Sequence, residues 1–199
     1  MSELNMNYDY KWKTVVLGDP SVGKTTLMLQ YTEKKFRELY IPTVGVQVSV
    51  KDVILSDEIG NKSRIGLYIW DVAGQVRFSK IRKLFYEGAN AFIIVYDVTN
   101  KETFVNSSRW YKDIMDILGT KIHGCLVGNK IDLSTDRQIS RKSGQLLADK
   151  MDLSFLETSA KTGENVDKLF NKIAQNIYQN MLSENVDTTI EEKIKEDEK

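Results

Sequence analysis

The stretch that decides the fold is Gly18-Asp19-Pro20-Ser21-Val22-Gly23-Lys24-Thr25. It fits the pattern G-x-x-x-x-G-K-[ST]. The run before it, Trp12 to Leu17, reads as a strand, and Lys24 to Lys35 reads as a helix. Strand before and helix after is the context that gives this pattern its meaning. Glycines allow backbone angles that turn successive N–H groups into one concavity. The following helix adds its free N–H groups and the positive end of its dipole. Such a loop holds phosphates, with Lys24 reaching the β- and γ-phosphates and the Thr25 hydroxyl binding Mg²⁺. Chance yields the pattern in a chain of this length on the order of once in a hundred. The loop implies a nucleoside triphosphate but is silent on the base, and a P-loop kinase or ATPase would share it.

Outward from the loop, short apolar runs alternate with helical patterns, which predicts an α/β fold around a mostly parallel sheet. Thr43 to Leu55 and Ser63 to Trp70 read as strands joined through Gly60-Asn61, hence antiparallel neighbours. Phe92 to Tyr96 is almost unbrokenly apolar, as expected of a strand covered on both faces. Thr99 and Glu102 then have capping-box spacing, and the helix they open puts Phe104, Tyr111, Ile114 and Leu118 on one face. Gly124 to Gly128 and Leu153 to Glu157 complete six strands, with a helix around Lys142 to Met151 between them. The last helix carries Val166, Leu169, Phe170, Ile173 and Ile177 as a core-facing stripe. Residues 1–11 read as an N-terminal extension, 12–182 as one domain, and 183–199 as an acidic, solvated tail.

Acidic and basic side chains balance at 28 each, and no long basic run occurs, so nucleic acid is not an expected partner. The single cysteine, Cys125, lies in an apolar run and reads as a reduced core thiol, which fits a cytoplasmic, soluble protein. No signal peptide, myristoylation site or membrane-length apolar run is evident. His123, the sole histidine, reads as structural or exposed.

The base is addressed by Asn129-Lys130-Ile131-Asp132, which follows an apolar strand. Ligands gather at such strand ends in open α/β sheets. A carboxylate at Asp132 can accept from both N1–H and the exocyclic amine of guanine. Adenine offers neither donor there and would leave a desolvated charge unpaired, costing roughly 1–3 kcal/mol or more. Asn129 can bond the purine N7 edge and tie loops together, and the Lys130 stem can cover a ring face.

With these motifs the chain resembles the Ras superfamily of small GTPases, most closely its Rab branch, from about Trp12 to Leu182. Ile41-Pro42-Thr43, Asp71-Val72-Ala73-Gly74-Gln75 and Thr158-Ser159-Ala160-Lys161 follow in the family's order. The Rab flavour comes from Ile69-Trp70, Arg77-Phe78, Phe85-Tyr86-Glu87-Gly88-Ala89 and Val95-Tyr96-Asp97-Val98-Thr99. The resemblance implies a GTP/GDP and Mg²⁺ site and a slow GTP phosphohydrolase acting as a molecular switch. It implies phosphate contacts from Ser21, Val22, Gly23, Lys24, Thr25 and Thr26. Thr43 is implied to bind Mg²⁺ and sense the γ-phosphate, and Asp71 to hold the metal through water. Gly74 N–H is implied at the γ-phosphate, with Gln75 orienting the attacking water. Ala160 N–H, backed by Ser159 and Lys161, is implied at the guanine carbonyl. Phe36 falls where an aromatic ring meets guanine edge-on, although a core role is open to it, and Tyr40 falls where a tyrosine closes over the phosphates. Trp70 is expected half in the core and half facing partners.

Implied partners are effectors, an exchange factor and an activating protein, with the chain itself a monomer and vesicle traffic the setting. No arginine lies just before Thr43, the nearest being Arg37, so an activating protein is expected to supply one, worth ~10³–10⁵ in rate. Four departures stand out. Val72 replaces a threonine, Pro20 sits in the phosphate loop, Gln47 and Val48 replace acidic and phenylalanine residues, and the tail lacks prenylation cysteines. No lipid anchor of its own is therefore expected, and recruitment to membranes would run through partners. A nucleotide-locked scaffold, which binds GTP without turning it over, stays open because of Pro20.

Overall fold

The computed structural model describes residues 7–36, 43–74, 82–120 and 122–197, with backbone alone at 82–83 and 184–197. Six strands form one sheet: β1 (Tyr10–Leu17), β2 (Val46–Ser56), β3 (Lys62–Val72), β4 (Ala91–Asp97), β5 (His123–Asn129) and β6 (Ser154–Thr158). Their order is β2-β3-β1-β4-β5-β6, and only the β2–β3 pair is antiparallel. Among the described residues five α-helices accompany them: α1 (Lys24–Glu33), α2 (Arg82–Tyr86), α3 (Lys101–Leu118), α4 (Arg141–Lys150) and α5 (Val166–Asp197). The predicted six-stranded α/β architecture is the observed one.

Every residue of β4 is buried, which explains its continuous apolar run. Successive side chains of a strand point to opposite faces. Ile93 and Val95 accordingly enter one core with Leu27 and Met28 of α1 and Phe170 and Ile173 of α5. Phe92, Ile94 and Tyr96 enter the other, with Trp110 and Ile114 of α3 and Ala148 of α4. Val72 is buried in this second core, so the valine there serves packing.

The structure corrects the cap of α3 and refines three other local readings. The hairpin turns on Asp57 rather than on Gly60-Asn61 alone: its carboxylate accepts from Ile59 N–H, Asn61 N–H and the Asn61 amide (3.1, 2.8 and 2.9 Å). The cap of α3 is Asn100, whose side chain accepts from Glu102 N–H at 2.9 Å. Thr99 instead donates to Asp97 at 2.7 Å. The most buried face of α3 is Thr103, Ser107, Trp110 and Ile114, with Phe104, Tyr111 and Leu118 half-buried beside it. Small hydroxyl side chains at 103 and 107 bond back to backbone carbonyls and let the helix sit close to the sheet. Finally, the α5 backbone stays helical to Asp197 although its apolar spacing fades at Ser183. Glu and Lys are good helix formers, and extending a helix costs far less than starting one.

The topology brings several loops to one edge. The loops after β1, β3, β4, β5 and β6 leave from the carboxyl ends of parallel strands. Val46 pairs with Val72, so the antiparallel β2 begins at that same edge. β2 starts three residues later than predicted, which leaves Thr43 outside the ladder and able to reach β3.

Candidate functional site

The loop from Gly18 to Gly23 has left-handed backbone at Gly18 (φ 136°), Ser21 (φ 64°) and Gly23 (φ 99°). A Cβ on Gly18 would lie 2.2 Å from the Val95 carbonyl oxygen, and one on Gly23 2.3 Å from the Asn129 amide nitrogen. Both glycines are therefore required twice over, by conformation and by space. Gly23 precedes α1 without any side-chain cap, so the first-turn N–H groups stay available to an anion. The Lys24 ammonium is buried and donates to the carbonyls of Gly18 (2.9 Å) and Asp19 (2.8 Å). Burial lowers its pKa to about 8, against the opposing pull of Asp71 and then Asp19.

Asp71, at the end of β3, is fully buried. Its Oδ2 accepts from the hydroxyls of Thr25 and, at 3.1 Å, Thr43, and those hydroxyls lie 2.9 Å apart. Its Oδ1 is buried with no hydrogen-bond partner among the described residues. Burial raises the Asp71 pKa, while Lys24 and the two hydroxyls pull it down. Two hydroxyls and one carboxylate, with one of its oxygens unpartnered among the described residues, form a small set of hard oxygen donors. That set fits Mg²⁺, which keeps several waters and takes few protein ligands.

Beside it lies a pocket of about 270 Å³, lined by Gly23, Thr26, Phe36, Asn129, Lys130, Asp132, Leu133, Ala160 and Lys161. Phe36 is 42% exposed at its rim, which rules out the core role. Asn129 binds three loops together. Its amide donates to the Val22 carbonyl (2.9 Å), and its Oδ1 accepts from Ala160 N–H and the Thr158 hydroxyl, both at 3.1 Å. The Ala160 N–H expected at the guanine carbonyl is thus engaged by Asn129 here. Ser159 donates to the Asp132 carboxylate at 2.6 Å and accepts from Thr162 N–H, which orients the acid in the pocket. Lys130 has left-handed backbone (φ 71°), and its ammonium pairs with Asp97 at 2.6 Å.

Of the sequence-predicted residues, Gln75 and Tyr40 lie outside the described residues. The rest converge on this edge, with Ser21 exposed in the loop and Gly74 against it. Sequence reasoning missed Leu133, Asp97 and the Arg137–Glu157 ion pair (2.6 Å) under the last loop. Arg137 and Glu157 carry no motif signature. Asp97 was visible only as part of Val95 to Thr99.

A model of the Ras family matches residues 13–179. Ras-related protein RIC1 of Oryza sativa subsp. japonica is 41% identical over 181 residues, 91% of this chain and 87% of that protein. GTP-binding protein ypt2 of Schizosaccharomyces pombe is 39% identical over 171 residues, 86% of this chain and 83% of its own. The chain belongs to the Ras family of small GTPases. Its Rab-like motifs agree with these relatives, and GTP hydrolysis comes with the family. In this GTPase Trp70 is half-buried, with the Lys13 ammonium 3.9 Å from its ring centroid, and it pairs across the hairpin with exposed Val48. Among the described residues no helix is long and apolar enough to cross a membrane.

Proposed function

We propose that this GTPase is a nucleotide-dependent switch that holds GTP or GDP with Mg²⁺ at the edge described above. The observation that carries the reading is the convergence of the Thr25 and Thr43 hydroxyls on Asp71 beside an ammonium-bearing phosphate loop. The loop N–H groups from Ser21 to Thr26 and Lys24 take the phosphates. Asp132, held by Ser159, takes the guanine donors, while Lys130, Lys161 and Phe36 border the ring and Asn129 with Ala160 frames it. Thr25, Thr43 and Asp71 would hold Mg²⁺, which would supply neutralisation of the phosphate charge. Thr43 meets the metal and, with Gly74 N–H, registers the γ-phosphate; Tyr40 closes over the phosphates. Gln75 orients a water for in-line attack, and Lys24 with the loop N–H groups stabilises charge on the transferred group and on departing GDP.

Losing the γ-phosphate releases the contacts of Thr43 and Gly74, a change that effectors can read. An exchange factor and an activating protein complete the cycle. The Rab-like motifs support a role in vesicle traffic. A single-turnover GTPase assay with ATP as competitor tests the site. GTP turnover that ATP does not inhibit is expected; ATP competing equally would indicate a P-loop ATPase or kinase, and tight GTP without turnover a locked scaffold.

A further inference from the structure

A loop that holds a polyphosphate gains nothing from a carboxylate aimed at the ligand, yet the second residue of this loop is Asp19. Its side chain turns the other way. Oδ2 accepts from the Asn106 amide at 2.7 Å, and Oδ1 accepts from the Trp110 indole N–H at 2.8 Å. Those donors are one turn apart on α3 and so face the loop together. The carbonyl of the same residue accepts from the Lys24 ammonium at 2.8 Å. Asp19 therefore joins α3 on one side to the phosphate-directed lysine on the other.

The loop needs such an anchor. It has left-handed backbone at Gly18, Ser21 and Gly23, and Pro20 offers no N–H to brace it. Its far end is held where the Val22 carbonyl accepts from Asn129. Its near end is seated against Gly74, where a Cβ would fall 2.5 Å from the Gly18 oxygen and 2.7 Å from Asp19 C and Pro20 N. α3 is itself tied to α2, through the Tyr86 hydroxyl and Asp113 at 3.1 Å.

We infer that Asp19 is a positioning residue: Asn106 and Trp110 hold its carboxylate so that the loop and Lys24 are set for phosphate before nucleotide arrives. The inference rests on the assignment of Lys24 to the phosphates. Charge-assisted hydrogen bonds are the strong ones, so removing both donors loosens the loop.

The test uses the full chain with Asn106→Leu, which keeps bulk, and Trp110→Phe, which keeps an aromatic ring, singly and together; each removes its donor. Fluorescent GDP and GMP affinities and the indole ¹⁵N–H resonances are measured for each. The double variant is expected to lower the ratio of GDP to GMP affinity by about tenfold, and each single by about threefold. In an Asp19→Ala background the α3 changes are expected to add nothing, which separates the tether from the change in charge. The Trp110 indole proton is expected to shift upfield in Asp19→Ala. Equal weakening of GDP and GMP, an unchanged ratio, or full additivity with Asp19→Ala would overturn the inference. Should the unmodified protein bind neither nucleotide, it is the site assignment that fails; should it bind both and the variants match it, only the tether fails.

Discussion

The two halves of the nucleotide edge are built differently. Around the guanine pocket the polar side chains already have partners from other loops: Asn129 with Val22, Thr158 and Ala160, Lys130 with Asp97, and Asp132 with Ser159. On the side proposed for the metal and γ-phosphate, the polar groups of the described residues are less fully paired. Among the described residues Asp71 Oδ1 has no hydrogen-bond partner, two hydroxyls lean on its other oxygen, and the first turn of α1 has no side-chain cap. A pre-organised base pocket gives affinity common to GDP and GTP. Groups that a ligand can satisfy make the other half responsive to what is bound. The proposed switch requires such a division.

The comparison can be broken at several points. The largest effect belongs to Asp132→Ala, expected to weaken GDP binding by ~10³-fold, since a site built on hydrogen bonds loses most when they are unmade; equilibrium titration against GDP checks it. Next comes Asp71→Asn, which is expected to reduce the Mg²⁺ affinity of the GDP complex by ~10–100-fold while leaving guanine-over-adenine preference intact. A Mg²⁺ titration of nucleotide release measures this, and a loss of base selectivity would erase the distinction between the halves. Gln75→Leu is expected to slow single-turnover hydrolysis at least ~tenfold with GTP affinity unchanged, by losing the residue that orients water. Ser159→Ala should be mildest, raising GDP dissociation by ~3–10-fold as Asp132 loses its orienting hydroxyl; an unchanged rate would mean the acid is positioned without help.

A control reads neither half. Burial pushes the Cys125 thiol up to about 11, and the residue is enclosed between β4 and β6. Iodoacetamide at pH 8 should leave it unmodified in the native protein and label it after denaturation, as mass spectrometry would show.

Much of this was legible in the residues. The unbroken apolar run of β4, the strand–loop–helix around Gly18 to Thr25 and the tetrad at Asn129 each carry a pattern over neighbouring positions. Errors came where two local readings compete. The capping-box spacing points to Thr99, but Asp97 takes the Thr99 hydroxyl and Asn100 caps α3 instead. On α3 the hydrophobic stripe pointed to Phe104 and Tyr111, but close approach to the sheet favoured Thr103 and Ser107. Thr43 was read into a strand because β-branched residues suit strands, whereas the ladder begins at Val46.

By itself the sequence determined the alternation of strands and helices and carried the motifs that point to a phosphate loop and to guanine, because each is written in spacing along a few consecutive residues. Only the tertiary structure decided how those parts are held. Ser159 meets Asp132 across 27 positions and Trp110 meets Asp19 across 91. Such bonds form where separate loops and helices happen to be brought within about 3 Å, and no local periodicity records which polar atoms the sheet will place side by side.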